Sequence, residues 1–191
     1  GFEIEALVRS LEDSEVYRAR SQAGASAALK ISRDDRPGVI QMIANEVRIL
    51  ERLGGAGSPA LLDDGAKDGR AYVAMEWCDG VSIAVAAQTA RAARDRRRLH
   101  ALVGRMFEAY GRLHRQGVLH GDIHPGNCLV RDDGRIVILD FGSARSIEKH
   151  SPAVDLMRSG IPQFYDPQMA EAVLAGRLPL PVTQASEQYA L

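Results

Sequence analysis

The hydrophobic period of this chain changes once, and that change limits its architecture more than any other feature. Up to about residue 75 the apolar residues sit in short runs punctuated by turn residues: Ile4 to Leu11, Val16 to Arg20, Ala25 to Ile31, Pro59 to Asp63 and Ala71 to Met75. Such runs read as strands. One stretch among them is helical: Val39, Ile43, Val47 and Leu50 recur at helix spacing between Pro37 and Leu53, and Gly54-Gly55 stops it. Further on, Leu99, Leu102, Val103, Met106, Phe107, Tyr110 and Leu113 form a wide helical stripe, read as core. Arg94, Arg96, Arg97 and Arg98 before it read as a solvated helix end. Val118-Leu119, Cys128 to Val130 and Arg135 to Leu139 are short apolar runs. Asp132-Asp133-Gly134 marks a hairpin between the last two. A further helix is expected near Pro167 to Ala175. A boundary between a β-rich and a helical part therefore falls between Met75 and Ser82.

Composition excludes several classes of function. Hydrophobic residues make up 46% and charged residues 26%, and the formal net charge is -1. That balance gives no basic field for nucleic acid and no acidic tail. No apolar run is long enough to span a bilayer. Two cysteines, Cys78 and Cys128, give no disulfide framework and are expected to be reduced in a cytoplasmic protein. The chain opens on Gly1 and stops inside a pattern at Ser186 to Leu191, so it is expected to be a piece of a longer protein flanked by further domains.

The chemistry is concentrated in two short segments. His120-Gly121-Asp122-Ile123-His124-Pro125-Gly126-Asn127 is followed, around the hairpin, by Asp140-Phe141-Gly142, and the two aspartates lie eighteen positions apart. Phosphoryl transfer asks a protein for little covalent chemistry. It needs a carboxylate to take or orient the acceptor hydroxyl, oxygen ligands for a metal, and charge neutralisation. Two carboxylates and an amide oxygen supply the first two, and oxygen is the donor that magnesium prefers.

These segments resemble the catalytic loop and the metal-binding Asp-Phe-Gly of the protein kinase superfamily. The resemblance implies Asp122 as catalytic base, with Asn127 and Asp140 as Mg2+ ligands. Ala27-Ala28-Leu29-Lys30 resembles the family's third-strand motif, which implies Lys30 as the phosphate-contacting lysine and Glu46 as its partner. Met75 to Gly80 resembles the hinge. Adenine would then bond backbone groups of Glu76 and Cys78 beside Met75 as gatekeeper, and lie between Ala28 and Leu129. Gly160 to Gln168 resembles the substrate-docking loop, and Ser186 to Leu191 the start of the helix that supports the catalytic loop, with Glu187 where the family has Asp. The implied fold is α+β: a two-lobed kinase-like fold with residues 1–75 as the N-lobe, 76–80 as hinge and 81–191 as an incomplete C-lobe, with ATP in the cleft. The implied activity is transfer of phosphate from ATP to a Ser/Thr hydroxyl of a protein or peptide.

Three departures bear on that reading. Arg9 to Glu15 holds no glycine where the family has its Gly-rich loop, and Glu12, Asp13 and Glu15 lie where phosphates approach. ATP affinity is therefore expected to be weak, and a pseudokinase that binds nucleotide or a partner without turnover is one alternative. Gly121 replaces the arginine that reads activation-loop phosphorylation. His124-Pro125-Gly126 resembles the loop of aminoglycoside-type small-molecule phosphotransferases, a second alternative. A narrower resemblance, to the kinase part of multidomain lanthipeptide synthetases, rests on the degenerate nucleotide loop.

Overall fold

The computed structural model describes residues 1–147, 162–177 and 180–191. It divides into two compact units, Gly1–Cys78 and Asp79–Leu191. Both mix helix with antiparallel sheet, as the α+β expectation requires.

The first unit is a five-stranded sheet and one helix. The strands are β1 (Phe2–Ser10), β2 (Ser14–Ser21), β3 (Ser26–Ser32), β4 (Leu61–Lys67) and β5 (Arg70–Glu76), in the order β1-β2-β3-β5-β4. Lys30 pairs with Val16 on one side and Val73 on the other, while Glu15 pairs with Ile31. Residues directly opposite one another share a face and neighbours along a strand do not. Lys30, Val16 and Val73 therefore occupy one face. Glu15, Tyr17 and Ile31 occupy the other, where Ala19, Leu29 and Ala74 form a small core with Tyr17, Ile31 and Tyr72 against it. Helix α1 (Pro37–Leu53) begins with Pro at its first position and ends where the N–H of Gly54 donates to the Leu50 carbonyl. It buries Val39, Ile43, Ile49, Leu50 and Leu53, each contributing about 1.5–3 kcal/mol by leaving water. β4 runs from Leu61, two residues past the expected Pro59 start, and is an exposed edge strand through Lys67.

The second unit begins with β6 (Val81–Ser82) and α2 (Ile83–Ala92). Helix α2 was not expected: its buried residues Ile83, Ala86 and Ala90 are too small to stand out as an apolar stripe. Its cap is legible, since the Ser82 hydroxyl accepts from the N–H of Val85. Asp95 caps α3 (Arg96–Arg115) by accepting from Arg98 N–H at 2.9 Å, so Arg96, Arg97 and Arg98 form the first, exposed turn of that helix and Arg94 precedes its cap. The stripe on α3 is core only in part. Leu102, Tyr110 and Leu113 are buried, whereas Val103 and Phe107 are about half exposed. β7 (Val118–Leu119) pairs with β10 (Arg145–Ser146), and β8 (Cys128–Val130) lies between β6 and β9 (Ile136–Ile138). Helices α4 (Pro167–Leu174) and α5 (Gln184–Ala190) follow. None of the described helices is long and apolar enough to cross a membrane.

Candidate active site

Two groups of functional side chains form, one in each unit. In the first, the Lys30 ammonium donates to Glu46 Oε2 at 2.8 Å; the two side chains are 9% and 1% exposed. A central strand and the inward face of α1 hold this pair, because Glu46 falls on the helix stripe that also buries Ile43 and Ile49. A carboxylate this deep is costly without a cation beside it. Ala28 lies on the same face as Lys30, two residues away, opposite Met75. β5 ends at Glu76, whose backbone N–H donates to the Ala60 carbonyl at 2.8 Å. The Cys78 thiol approaches the Glu76 carbonyl at 3.7 Å. The Arg18 guanidinium lies 5.0 Å from the centre of the Trp77 ring.

Glu15 does not lie on the Lys30 face. It accepts from the Tyr17 hydroxyl at 2.8 Å and is flanked by Arg33 at 3.5 Å and Arg70 at 3.4 Å. The Tyr17 hydroxyl first, and then the two guanidiniums, hold its carboxyl below the usual carboxylate range. Of the three acids expected to oppose phosphate, this one is turned to the other face and neutralised. Residues 11–13 form a tight connection in which Leu11 N–H donates to the Ser14 carbonyl at 2.8 Å.

In the second unit, a 3-10 turn at Pro125–Asn127 and the short strand β8 carry the polar loop. Asn127 is buried, and its amide donates to the backbone carbonyl of Asp122 at 3.1 Å and to Asp122 Oδ2 at 3.3 Å. Both donors of that amide thus face Asp122, and its Oδ1 is left as an acceptor or ligand. His120, fully buried, accepts the N–H of Asp122 at Nδ1 (3.3 Å) and so donates from Nε2 to the Leu139 carbonyl (2.9 Å). Its ring also packs 5.2 Å from that of Phe141. His120 therefore grips both neighbours of Asp140, whose backbone has a φ of 63°. A left-handed aspartate is strained, and such strain is retained where surrounding contacts impose it.

Glu187 supports this loop from α5. One carboxylate oxygen accepts the N–H of Gly121 at 2.7 Å, and the other lies 2.6 Å from His114 Nε2. Gly121 has a φ of 79°, and a Cβ there would overlap the Ser143 carbonyl oxygen, so this position admits only glycine without backbone movement. The Tyr110 hydroxyl lies 3.5 Å from Cys128 Sγ in the core beneath, and burial pushes both groups' pKa values up. Leu129 is half-buried on β8, opposite Val137.

Asp122 and Asn127 are thus brought into contact, and His120 ties the Asp122 backbone to the Leu139 carbonyl while its ring packs on that of Phe141. Lys30 and Glu46 are likewise in contact. Among the described residues no three His, Cys, Asp or Glu side chains cluster as a self-sufficient metal site. Magnesium takes oxygen ligands and is commonly held through one or two carboxylates, and the Asp140 carboxylate and the Asn127 Oδ1 are oxygen donors of that kind. Sequence reasoning missed the roles of His114, Arg33 and Arg70, whose partners lie far away in the chain. Gly160 and Ile161, at the start of the expected substrate-docking loop, lie outside the described residues. In the remainder of that segment Asp166 caps α4 by accepting from Met169 N–H at 3.0 Å.

The arrangement can be compared with known proteins. The protein kinase domain family matches residues 12–171, most of the chain. Cell division control protein 2 homolog 3 of Trypanosoma brucei brucei is 33% identical over 136 residues, covering 70% of this chain and 43% of that protein. Serine/threonine-protein kinase PknJ of Mycobacterium tuberculosis is 30% identical over 160 residues, with 77% and 26% covered. CBL-interacting protein kinase 19 of Oryza sativa subsp. japonica is 27% identical over 173 residues, with 88% and 34% covered. The chain spans less than half the length of each of these relatives. An aspartate bonded to an asparagine five residues on, a buried lysine–glutamate pair and a match across most of the sequence agree: this chain belongs to the protein kinase family.

Proposed function

We propose that this chain transfers the γ-phosphoryl group of ATP, bound with Mg2+, to a serine or threonine hydroxyl of a protein or peptide. The observation that carries this reading is the contact of Asn127 with Asp122. It orients a carboxylate for the acceptor hydroxyl while leaving an amide oxygen for the metal. In this reading Asp122 takes the hydroxyl proton as the acceptor oxygen bonds to phosphorus and the bond to the ADP oxygen breaks. Asp140 and Asn127 hold the magnesium, which neutralises charge on the phosphates when bound. Lys30, oriented by Glu46, contacts phosphate. Backbone groups of Glu76 and Cys78 bond adenine, with Ala28 and Leu129 against its faces. The resemblance to serine/threonine kinases supports the acceptor class, and the soluble composition agrees with a cytoplasmic setting.

One observation favours a second reading, a pseudokinase. The connection at residues 11–13 is tight and holds no glycine, so backbone N–H groups lack the freedom to approach phosphate closely. Calorimetric titration with magnesium-ATP tests the metal assignment. Asp140→Asn is expected to lose magnesium-dependent binding, and Asp122→Asn to keep it. Equal binding by wild type and Asp140→Asn would remove Asp140 from the metal site.

A further inference from the structure

His124 stands beside Asp122 in a geometry that the proposed roles leave unused. Its Nδ1 accepts the backbone N–H of Gly126 at 3.0 Å. A backbone amide only donates, so Nδ1 carries the lone pair and the neutral ring carries its proton on Nε2. Nε2 lies 3.7 Å from Asp122 Oδ2, and the two side chains are only 12% and 22% exposed. That separation is longer than a hydrogen bond, but contacts of this kind shorten when a site is loaded. The same Oδ2 accepts from Asn127 Nδ2 at 3.3 Å. One oxygen thus has the Asn127 donor and the His124 Nε2–H beside it, and among the described residues Oδ1 has no donor.

The glycine two residues on makes room for this ring. A Cβ at Gly126 would sit 2.8 Å from His124 Cε1, closer than real contacts allow, and a tight 3.0 Å from Nδ1. Any side chain at 126 would displace the imidazole from its present place. The segment His124-Pro125-Gly126 therefore works as a unit: proline begins the turn, glycine clears the space, and the turn's own N–H fixes the tautomer.

We propose that His124 is a positioning residue for Asp122: its Nε2–H, fixed by the Gly126 backbone, holds Oδ2 and leaves Oδ1 as the atom that meets the phosphate acceptor. This rests on the reading of Asp122 as the base. The effect is orientational, and misplacing a reacting group by about 1 Å can lower a rate by about a hundredfold.

Magnesium-dependent hydrolysis of ATP, with water as the acceptor, provides the test. In His124→Asn the shorter side chain still caps the turn, because asparagine accepts a backbone N–H well, but it no longer reaches Asp122. The expected result is a kcat lower by about tenfold or more, a KM for ATP within about twofold of wild type and an unchanged thermal midpoint. Gly126→Ala should reproduce the kcat loss with no donor removed. Adding His124→Asn to Asp122→Asn should cost nothing further, since the residue acts only through the carboxylate. Loss of activity in Asp122→Asn with wild-type kcat in His124→Asn would overturn the proposal alone. Wild-type turnover in Asp122→Asn would overturn the base assignment and the proposal with it. A raised KM with unchanged kcat in His124→Asn would assign the ring to the nucleotide and contradict the proposal. Nitrogen-15 NMR of the imidazole gives a readout independent of turnover: a proton on Nε2 and a lone pair on Nδ1 are expected, and a proton on Nδ1 would overturn the proposal in any background.

Discussion

The two units hold their polar groups in opposite ways. In Gly1–Cys78 the charges are paired across the sheet and helix by residues distant in sequence: Lys30 with Glu46 on one face, Glu15 with Arg33 and Arg70 on the other. In Asp79–Leu191 the loop from His120 to Asn127 is held chiefly by its own amides, imidazoles and backbone, with one carboxylate, Glu187, reaching in. The first kind of construction resists loss of a residue poorly, because each charge depends on a partner distant in the chain. The second depends on local spacing and keeps the aspartate-to-asparagine interval intact. Substitutions in the first unit should therefore act first on stability, and those in the second on turnover.

The largest stability effect should come from Lys30→Met. It leaves the buried Glu46 carboxylate without that ammonium, and breaking such a pair costs about 3 kcal/mol or more. Chemical denaturation reads the loss, and adding Glu46→Leu should recover much of it. A single variant as stable as wild type would break the contrast, because the pair would then be ornamental to the first unit. Glu187→Gln comes next and sharpens the contrast, since it touches both stability and the loop. It removes a charged acceptor from Gly121 N–H and from His114, at about 1–3 kcal/mol. Glu187→Asp is one methylene shorter and should keep one of the two contacts. Comparing their unfolding midpoints with their ATP turnover separates support of the loop from support of the fold.

The smallest effect belongs to Glu15. Its carboxyl is held below the usual range in the folded state, so the stability it adds is present above the unfolded value near 4.5 and fades as pH falls through the lower folded value. Wild type should thus lose slightly more stability than Glu15→Gln on acidification from pH 6 to about pH 3. Magnesium-ATP affinity should stay within about twofold in that variant, because Glu15 lies on the face away from Lys30. Tighter binding by Glu15→Gln would mean that this acid does oppose phosphate.

Much of this was legible in the sequence because it is local. The Asp122-to-Asn127 interval, the stops of α1 at Pro37 and Gly54, and the position of Lys30 on a strand each follow from residues within a few positions. Helix α2 was not read because alanine carries helix propensity without a hydrophobic stripe; Ser82 as its cap was the available signal. The extent of burial along α3 was overread, since period alone says which residues share a face and not what covers them: Val103 and Phe107 show the difference. The sides taken by Glu12, Asp13 and Glu15 depend on strand register, and Glu15 is paired with Arg70 from a strand 55 positions away. The His114–Glu187 contact spans 73 positions. No local pattern encodes such partners.

The loop from His120 to Asn127 is proposed to carry the chemistry even though the turn at residues 11–13 holds no glycine. Phosphate release from magnesium-ATP at saturating nucleotide tests it, measured on wild type and Asp122→Asn with binding of both verified by calorimetry. Wild type is expected to release phosphate measurably, and Asp122→Asn to lose about a hundredfold or more with binding retained. Equal release by the two proteins, or none by a wild type that binds magnesium-ATP, would contradict it.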